Sequence, residues 1–264
     1  MIIFDPWLHR WSLTADGSPI ATAYGDLLPV VRNGVRAMLK VARGKEERRG
    51  ASLLDWYAGD GAVRVLEVEG PALLMERPCG DQSLAELSHG DRDDQATRIL
   101  CATVQKLHTD RNTPPPGDLV PLDVWFRSLS STDHPKLARS LAVARELLAD
   151  KRCPIPLHGD IHHGNVLYDN DRGWLAIDPK GLRGEHAFDY SNIFCNPDFV
   201  VATAPAVFSR RLELVSQAAA VDRQRMLKWV LAYAGLSAAW CMEDGDDVEL
   251  RLAIVEIASR ELGG

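Results

Sequence analysis

A chain of 264 residues with 46% hydrophobic and 25% charged side chains has the make-up of a globular protein and the length to bury a sizeable core. That excludes a disordered, fibrous or low-complexity chain. The formal net charge of −7 argues against a nucleic-acid partner, which needs a basic face, and suits a cationic ligand.

Five cysteines, Cys79, Cys101, Cys153, Cys195 and Cys241, are odd in number and form no C-x-x-C pair, so they read as reduced thiols of a cytoplasmic protein. The opening "MIIFDPWLHRW" lacks a basic n-region and breaks its apolar run at Asp5 and Pro6, which is not the pattern of a signal peptide. No apolar stretch is long enough to span a membrane, and no membrane partner is expected.

In chain order, "WSLTADGSPIA" predicts two strands around the tight Asp16-Gly17 turn, and "LLPVVRNGVRAMLKV" a second pair around Asn33-Gly34. A helix is expected in "GKEERRGASLLDWYAG", with Leu53, Leu54 and Tyr57 on one face, and "AVRVLEVEGPALLMER" reads as a third hairpin. After "PCGDQ" the period becomes helical: Ala96, Ile99, Leu100, Thr103, Val104 and Leu107 share a face, and the acids before them favour a helix start. "TPPPGD" is a rigid connector. Leu137, Leu141, Ala144 and Leu148 mark a further helix. Met226, Val230, Tyr233, Ser237 and Trp240 mark another, N-capped by Asp222, and a last one starts near Val248. The expected organisation is a sheet-rich N-terminal lobe over 1–76, a hinge at 77–80 and a larger, mainly helical lobe over 81–264.

The densest chemistry lies in "PLHGDIHHGNVLYDNDRGWLAID", Pro156 to Asp178, which holds three histidines, four Asp and two Asn. "NVLYD" and "WLAID" flank "NDRG", so the span predicts a hairpin that brings Asn165 and Asp178 to one end, with His158 and Asp160 on the loop before it. A polar loop without chemistry is one reading. A zinc site through His158 and His162 is a second, but their four-residue spacing matters only on a helix, and Gly159 and Gly164 argue for loop. Two oxygen ligands beside a free carboxylate suit a third reading, a magnesium–phosphate site.

"HGDIHHGN" followed by "IDPKG" resembles the signature of the aminoglycoside phosphotransferases and related small-molecule kinases, which share the protein-kinase fold. His158, Asp160 and Asn165 match the catalytic loop in type and spacing, and Asp178 matches the metal-binding Asp, with "DPKG" where protein kinases have D-F-G. "AMLKV" places Lys40 where the family's phosphate-binding lysine sits. "EERRG" supplies its acidic partner, Glu47 in preference to Glu46. "LLMERPCG", with Glu76 and Arg77, resembles the strand entering the adenine-holding hinge. "GEHAFDYSNIF", "GLSAAW" and "RGWLAIDPKGL" resemble most closely the streptomycin 6-kinases within that family.

The resemblance implies an α+β, protein-kinase-like bilobal fold: a small antiparallel-sheet N-lobe with one helix, and a larger mainly helical C-lobe. It implies ATP and Mg²⁺ as co-substrate and metal, and transfer of the γ-phosphoryl group to the 6-hydroxyl of streptomycin, inactivating the antibiotic. Asp160 would orient and deprotonate the acceptor, His158 support the loop, and Asn165 and Asp178 hold Mg²⁺. Glu243 and Asp244, in "MEDGDDVE", are candidates for an acidic wall around a cationic acceptor, or else a solvated turn. Asp189 is expected to pin a helix start, with acceptor contact as its second role. His162 and His163 are read as loop structure. The glycine-rich phosphate loop is missing; only Gly25 stands in "TAYGDLL", and Asp26 beside it is expected to face solvent. Another acceptor (a different aminoglycoside, a sugar, choline or homoserine) stays open, as does a catalytically idle nucleotide-binding module, and the chain is expected to be a monomer or homodimer.

Overall fold

The computed structural model describes residues 3–150 and 152–263. It begins with helix α1 (Asp5–Arg10), which no pattern in the sequence announced, followed by strands β1 (Thr14–Ala15), β2 (Ile20–Ala21), β3 (Gly25–Arg32) and β4 (Val35–Ala42). Helix α2 (Lys45–Tyr57) and strands β5 (Val65–Glu69) and β6 (Ala72–Glu76) complete this part. The sheet order is β1-β3-β4-β6-β5, all antiparallel, with β2 also on β3.

Two of the three anticipated hairpins form. Asn33 and Gly34 both take left-handed backbone (φ 51° and 80°), which suits a two-residue turn of the primed class and closes Arg32 on Val35. The β5–β6 pair closes on Gly70-Pro71. The first is a correction: β1 and β2 do not pair with each other, and both lie along β3, with Thr14 opposite Val31 and Ile20 opposite Leu27. The long β3 offers a full ladder edge, whereas the two short strands offer each other almost nothing.

Alternation along the strands divides the sheet into two faces. Ala37, Leu39 and Val41 of β4 join Ala72 and Leu74 of β6 in an outer cluster that Phe4 and Trp11, flanking α1, close off. Met38 lies on the opposite face, and so does Lys40, beside Leu73 and Met75 of the main core. The same period of two that buries Leu39 therefore aims Lys40 at α2 and the rest of the protein.

The C-terminal part holds α3 (Leu84–His89), α4 (Asp93–Leu107), β7 (Val120–Pro121), α5 (Leu122–Trp125), α6 (Arg127–Ser131), a 3₁₀ turn at Pro135–Leu137 and α7 (Ala138–Ala149). Then come β8 (Ile155–Leu157), the hairpin β9 (Val166–Asp169) and β10 (Gly173–Ala176), and β11 (Leu182–Gly184). A ten-residue 3₁₀ segment, His186–Cys195, precedes α8 (Phe199–Thr203), α9 (Pro205–Ala219), α10 (Arg223–Asp244) and α11 (Glu249–Gly263). The main core runs without a break from α2 through α4 and β10 into α10, so the two parts share one apolar interior. Backbone bonds Val63 N–Ala176 O (3.1 Å) and Ala176 N–Gly61 O (2.9 Å) stitch the segment after α2 to β10. Among the described residues no helix is long and apolar enough to cross a membrane.

Candidate active site

The site is built on the β9–β10 hairpin. Its register pairs Asp169 with Gly173 and Val166 with Ala176, and the Ile177 amide donates to the Asn165 carbonyl (2.9 Å), so Asn165 and Asp178 stand together at its open end. At the closed end Asp169 caps the turn, accepting from the amides of Asp171 (3.1 Å) and Arg172 (3.0 Å), and reaches the Cys79 amide at 3.3 Å. Gly80 N donates to Tyr168 O (2.9 Å), and a side chain there would strike the Tyr168 backbone. The connection out of β6 is thus clamped to the hairpin that carries the site.

The loop before the hairpin is held from below. His158 is fully buried; one ring nitrogen meets the Ile177 carbonyl (2.9 Å), and Nδ1 accepts the Asp160 amide (3.2 Å). That arrangement fixes a neutral imidazole with its proton on Nε2, and burial holds its pKa below the usual value. His158 therefore braces the loop and does not face an acceptor. Gly159 sits at φ 86°, pressed against Leu182, where a side chain would be strained and crowded.

Asp189 and Asn192 hold the next links. A 3₁₀ helix has three residues per turn, so positions i and i+3 eclipse, and runs this long are rare. From this segment Asp189 accepts from the amides of His158 (2.9 Å) and Gly159 (2.7 Å), while Asn192 Nδ2 donates to Asp160 Oδ1 (2.8 Å). Asn165 Nδ2 donates to the other Asp160 oxygen (3.1 Å) and to its carbonyl (3.0 Å), so two amides orient one carboxylate. Asn196 Nδ2 in turn fixes Asn192 Oδ1 at 2.9 Å. The expectation for Asp189 is corrected: it pins the catalytic-loop backbone, not a helix start, and its buried carboxylate, which also meets His108 Nε2 (2.8 Å), has no face left for an acceptor.

Lys40 Nζ bridges Glu47 and Asp178, which makes Glu47 its partner on α2. The lysine and glutamate are 10% and 4% exposed in their side chains, while Asp178 keeps 37%, open to a ligand on its far side. Burial opposes the Asp178 charge, but Lys40 and Lys180 hold its pKa below the ordinary carboxylate range. Asp178 itself sits at φ 59°, a strained setting for a non-glycine residue of the kind found at functional sites. Helix α2 is seated directly on this loop: Arg49 Nε donates to Lys180 O (2.9 Å), and a methyl at Gly50 would overlap the Pro179 carbonyl.

Glu76 and Arg77 belong to the segment whose backbone is expected to hold adenine. Glu76 pairs with Arg172 and accepts the Arg64 amide (3.0 Å), and Arg77 pairs with Asp16. Their side chains tie down the end of β6 and the residue after it. Asp26 does not point into solvent as expected; Arg43 binds it at 2.6 Å and cancels its charge.

Beside Lys180, two residues on from Asp178, opens a cavity of about 480 Å³ whose charged lining is mixed, Arg49, Arg127 and Lys180 with Glu46, Glu243 and Asp244. Glu243 and Asp244, the last residues of α10, lie on its wall with Glu46, and Trp125 and Trp240 pack edge-on (5.3 Å, 72°) as its apolar side. A helix C-terminus carries partial negative charge, which adds to the two carboxylates. Sequence reasoning missed Trp125, Trp240, Asn192 and His108.

Among the described residues no three His, Cys, Asp or Glu side chains converge as a metal centre. Asp178 and Asn165 present one carboxylate and one amide oxygen, a hard-oxygen pair that fits Mg²⁺, an ion that keeps waters and shares substrate phosphates.

The buried histidines make stability pH-dependent. Burial and Arg211 push His163 down to about 3. A histidine lowered in the fold binds fewer protons there than in the unfolded chain, so its contribution is complete above about pH 6.5 and is lost as pH falls below that. Urea unfolding is expected to weaken from pH 6.5 to 5 by up to about 1.4 kcal/mol per pH unit through His163, and His163→Gln to flatten that slope.

The profile of the family described as aminoglycoside/hydroxyurea antibiotic resistance kinase matches residues 10–245. A streptomycin 3''-kinase of Klebsiella pneumoniae is 47% identical over 254 residues, covering 94% of this chain and 95% of that protein. A streptomycin 6-kinase of Streptomyces griseus is 32% identical over 257 residues, covering 90% and 81%. Among solved structures, aminoglycoside phosphotransferase APH(4)-Ia in ternary complex with ADP and hygromycin B superposes over 100% of both chains with a TM-score of 0.71 at 14% identity, a likeness of fold alone. With the profile covering most of the chain and a full-length relative this similar, the protein belongs to the aminoglycoside/hydroxyurea antibiotic resistance kinase family.

Proposed function

We propose that the protein transfers the γ-phosphoryl group of ATP to a hydroxyl of streptomycin, in the cytoplasm where ATP is supplied. The observation that carries this reading is the pairing of Asp160 with Asn165 and of Asp178 with Lys40 at the open end of the β9–β10 hairpin, whose continuation at Lys180 lines a cavity with Glu243, Asp244 and Glu46. Streptomycin carries two guanidinium groups and an amine, which suit Glu243, Asp244 and Glu46 as planar acceptors and the Trp125–Trp240 wall as a stacking surface.

Phosphoryl transfer passes through a loose transition state, so positioning and charge stabilisation dominate. Asp160, fixed by Asn165 and Asn192, accepts a hydrogen bond from the acceptor hydroxyl, turns its oxygen toward the phosphorus and takes its proton as the new bond forms. Lys40, aligned by Glu47, meets the phosphates. Asp178 and Asn165 are the residues to hold Mg²⁺, which would offset phosphate charge. Backbone of the hinge after Glu76 is the proposed adenine contact; the Cys79 and Gly80 amides are already used, which leaves Arg77 as the free N–H there.

For the position of transfer, the 47% relative named for the 3'' position supports the 3''-hydroxyl, on the methylamino sugar. The 6-hydroxyl, expected from the motifs, is the second reading and is supported by the 32% relative. Incubation with ATP, Mg²⁺ and streptomycin, followed by phosphorus-coupled NMR of the product, distinguishes them; no phosphorylated product from streptomycin would refute the proposal. Glu243→Gln with Asp244→Asn is expected to raise acceptor KM by roughly 10-fold or more, the worth of one charge-assisted contact, with kcat little changed. An unchanged KM would return both residues to plain surface.

A further inference from the structure

Lys180 stands where the nucleotide side of the site meets the acceptor cavity. It follows Asp178 by two residues, and its amide donates to the His158 carbonyl at 2.7 Å, so its backbone is fixed to the catalytic loop. Its ammonium lies 3.4 Å from Glu46 Oε1 and 4.6 Å from the ring centre of Tyr24, and only 11% of the side chain is exposed. The ion pair with Glu46 and the face of Tyr24 hold it as a cation.

Arg49 and Arg127 line this cavity as well, so a cationic acceptor does not account for its charge alone; of the three cations, Lys180 is the one carried on the loop of Asp178. Its backbone, two residues after Asp178 and bonded to the residue two before Asp160, lies where those two loops meet, which suits an anion that passes from one to the other. The tie to Tyr24 adds to this, because Tyr24 lies in the Thr22–Gly25 turn between β2 and β3, where a glycine-rich loop would otherwise cover the phosphates.

We propose that Lys180 is a further catalytic residue of this chain: held beside Glu46 and Tyr24, it meets the γ-phosphoryl oxygens during transfer. The inference rests on the phosphotransferase reading. In the step, the bond from phosphorus to the β–γ bridging oxygen breaks and its electron pair leaves with ADP. The bond to the acceptor oxygen forms, the acceptor proton goes to Asp160, and Lys180 keeps its own proton while stabilising the equatorial oxygens.

The test uses Lys180→Met, which keeps most of the aliphatic stem, and Lys180→Arg. Calorimetry on the full chain with Mg²⁺ compares the non-hydrolysable ATP analogue AMP-PNP with ADP. The Met variant is expected to lose roughly 10-fold or more of the preference for AMP-PNP with ADP affinity unchanged, the worth of a charge-assisted hydrogen bond. Its kcat is expected to fall by about 10²–10³, as when one transition-state donor is removed, with acceptor KM unchanged and partial recovery in the Arg variant. A Met variant that keeps both the preference and kcat, or one that weakens both nucleotides equally, would overturn the proposal. Parent protein that phosphorylates no acceptor would remove the functional reading, while the nucleotide comparison would still decide whether Lys180 senses the terminal phosphate.

Discussion

Asp160→Ala is expected to lower kcat by roughly 10²–10⁴, the usual worth of a positioned acid–base group, while acceptor KM and thermal stability change little. The carboxylate is only partly buried, so its removal opens no sealed void. The loop around it does not depend on it for shape: His158 and Gly159 hang from Asp189, and His158 is bonded to the Ile177 carbonyl. What is lost is the acceptor for the substrate hydroxyl and for the side-chain amides of Asn165 and Asn192. Steady-state turnover on the parent acceptor together with a melting curve checks this. Turnover at the parent rate would remove Asp160 from the chemistry, and a large drop in melting temperature would show that its role is structural.

The largest stability effect is expected at Arg211. Its side chain is 1% exposed, with Nε and Nη2 gripping both oxygens of Asp93 (2.9 and 2.6 Å) and Nη1 reaching the carbonyls of Ile193 (2.8 Å) and Asn196 (2.5 Å). One guanidinium thereby joins α9, the start of α4 and the end of the 3₁₀ segment that carries Asp189 and Asn192. Arg211→Met leaves the Asp93 carboxylate buried without its partner, a change that costs about 3–5 kcal/mol. For a domain of this size that is on the order of 10 °C in melting temperature. Replacing both partners, with Asp93→Leu added, is expected to recover much of the loss, because the penalty lies in the stranded charge and not in the absence of a pair. A single variant that melts with the parent would show that the pair contributes nothing net.

The hairpin of the site was legible from local pattern, two short apolar runs around a turn being enough to bring Asn165 and Asp178 together. Lys40 and Glu47 were legible only as motifs, through the resemblance of "AMLKV" and "EERRG" to the family's lysine strand and the helix after it. The braces behind the catalytic loop carry no such signal. Asp189 and Asn192 act three residues apart because their segment winds as a 3₁₀ helix, a geometry without a hydrophobic stripe of its own, since nearly every residue in it is buried. His108 lies far from Asp189 in sequence and meets it only because α4 and that segment pack together. Trp125 and Trp240 likewise come from helices far apart in the chain. Helix α1 was missed for a different reason: six residues are too few to show amphipathic spacing, and its flanking Phe4 and Trp11 supply most of the burial. Of the charged residues assigned to ligands, Glu76, Arg77 and Asp189 have their side chains engaged by the protein itself. A charge near a site is as often needed to hold the frame as to touch what enters it.

The seating of α2 on the 178–181 loop has a consequence for control. In regulated protein kinases, the lysine–glutamate pair is made or broken by moving the helix that carries the glutamate. Here Gly50 lets the helix backbone press on the Pro179 carbonyl, and Arg49 is bonded to the next residue, so an outward swing would tear the helix from the very loop that presents Asp178. Parting Lys40 from Glu47 by that route would require breaking this seat first, so the pair is held by the fold's own packing.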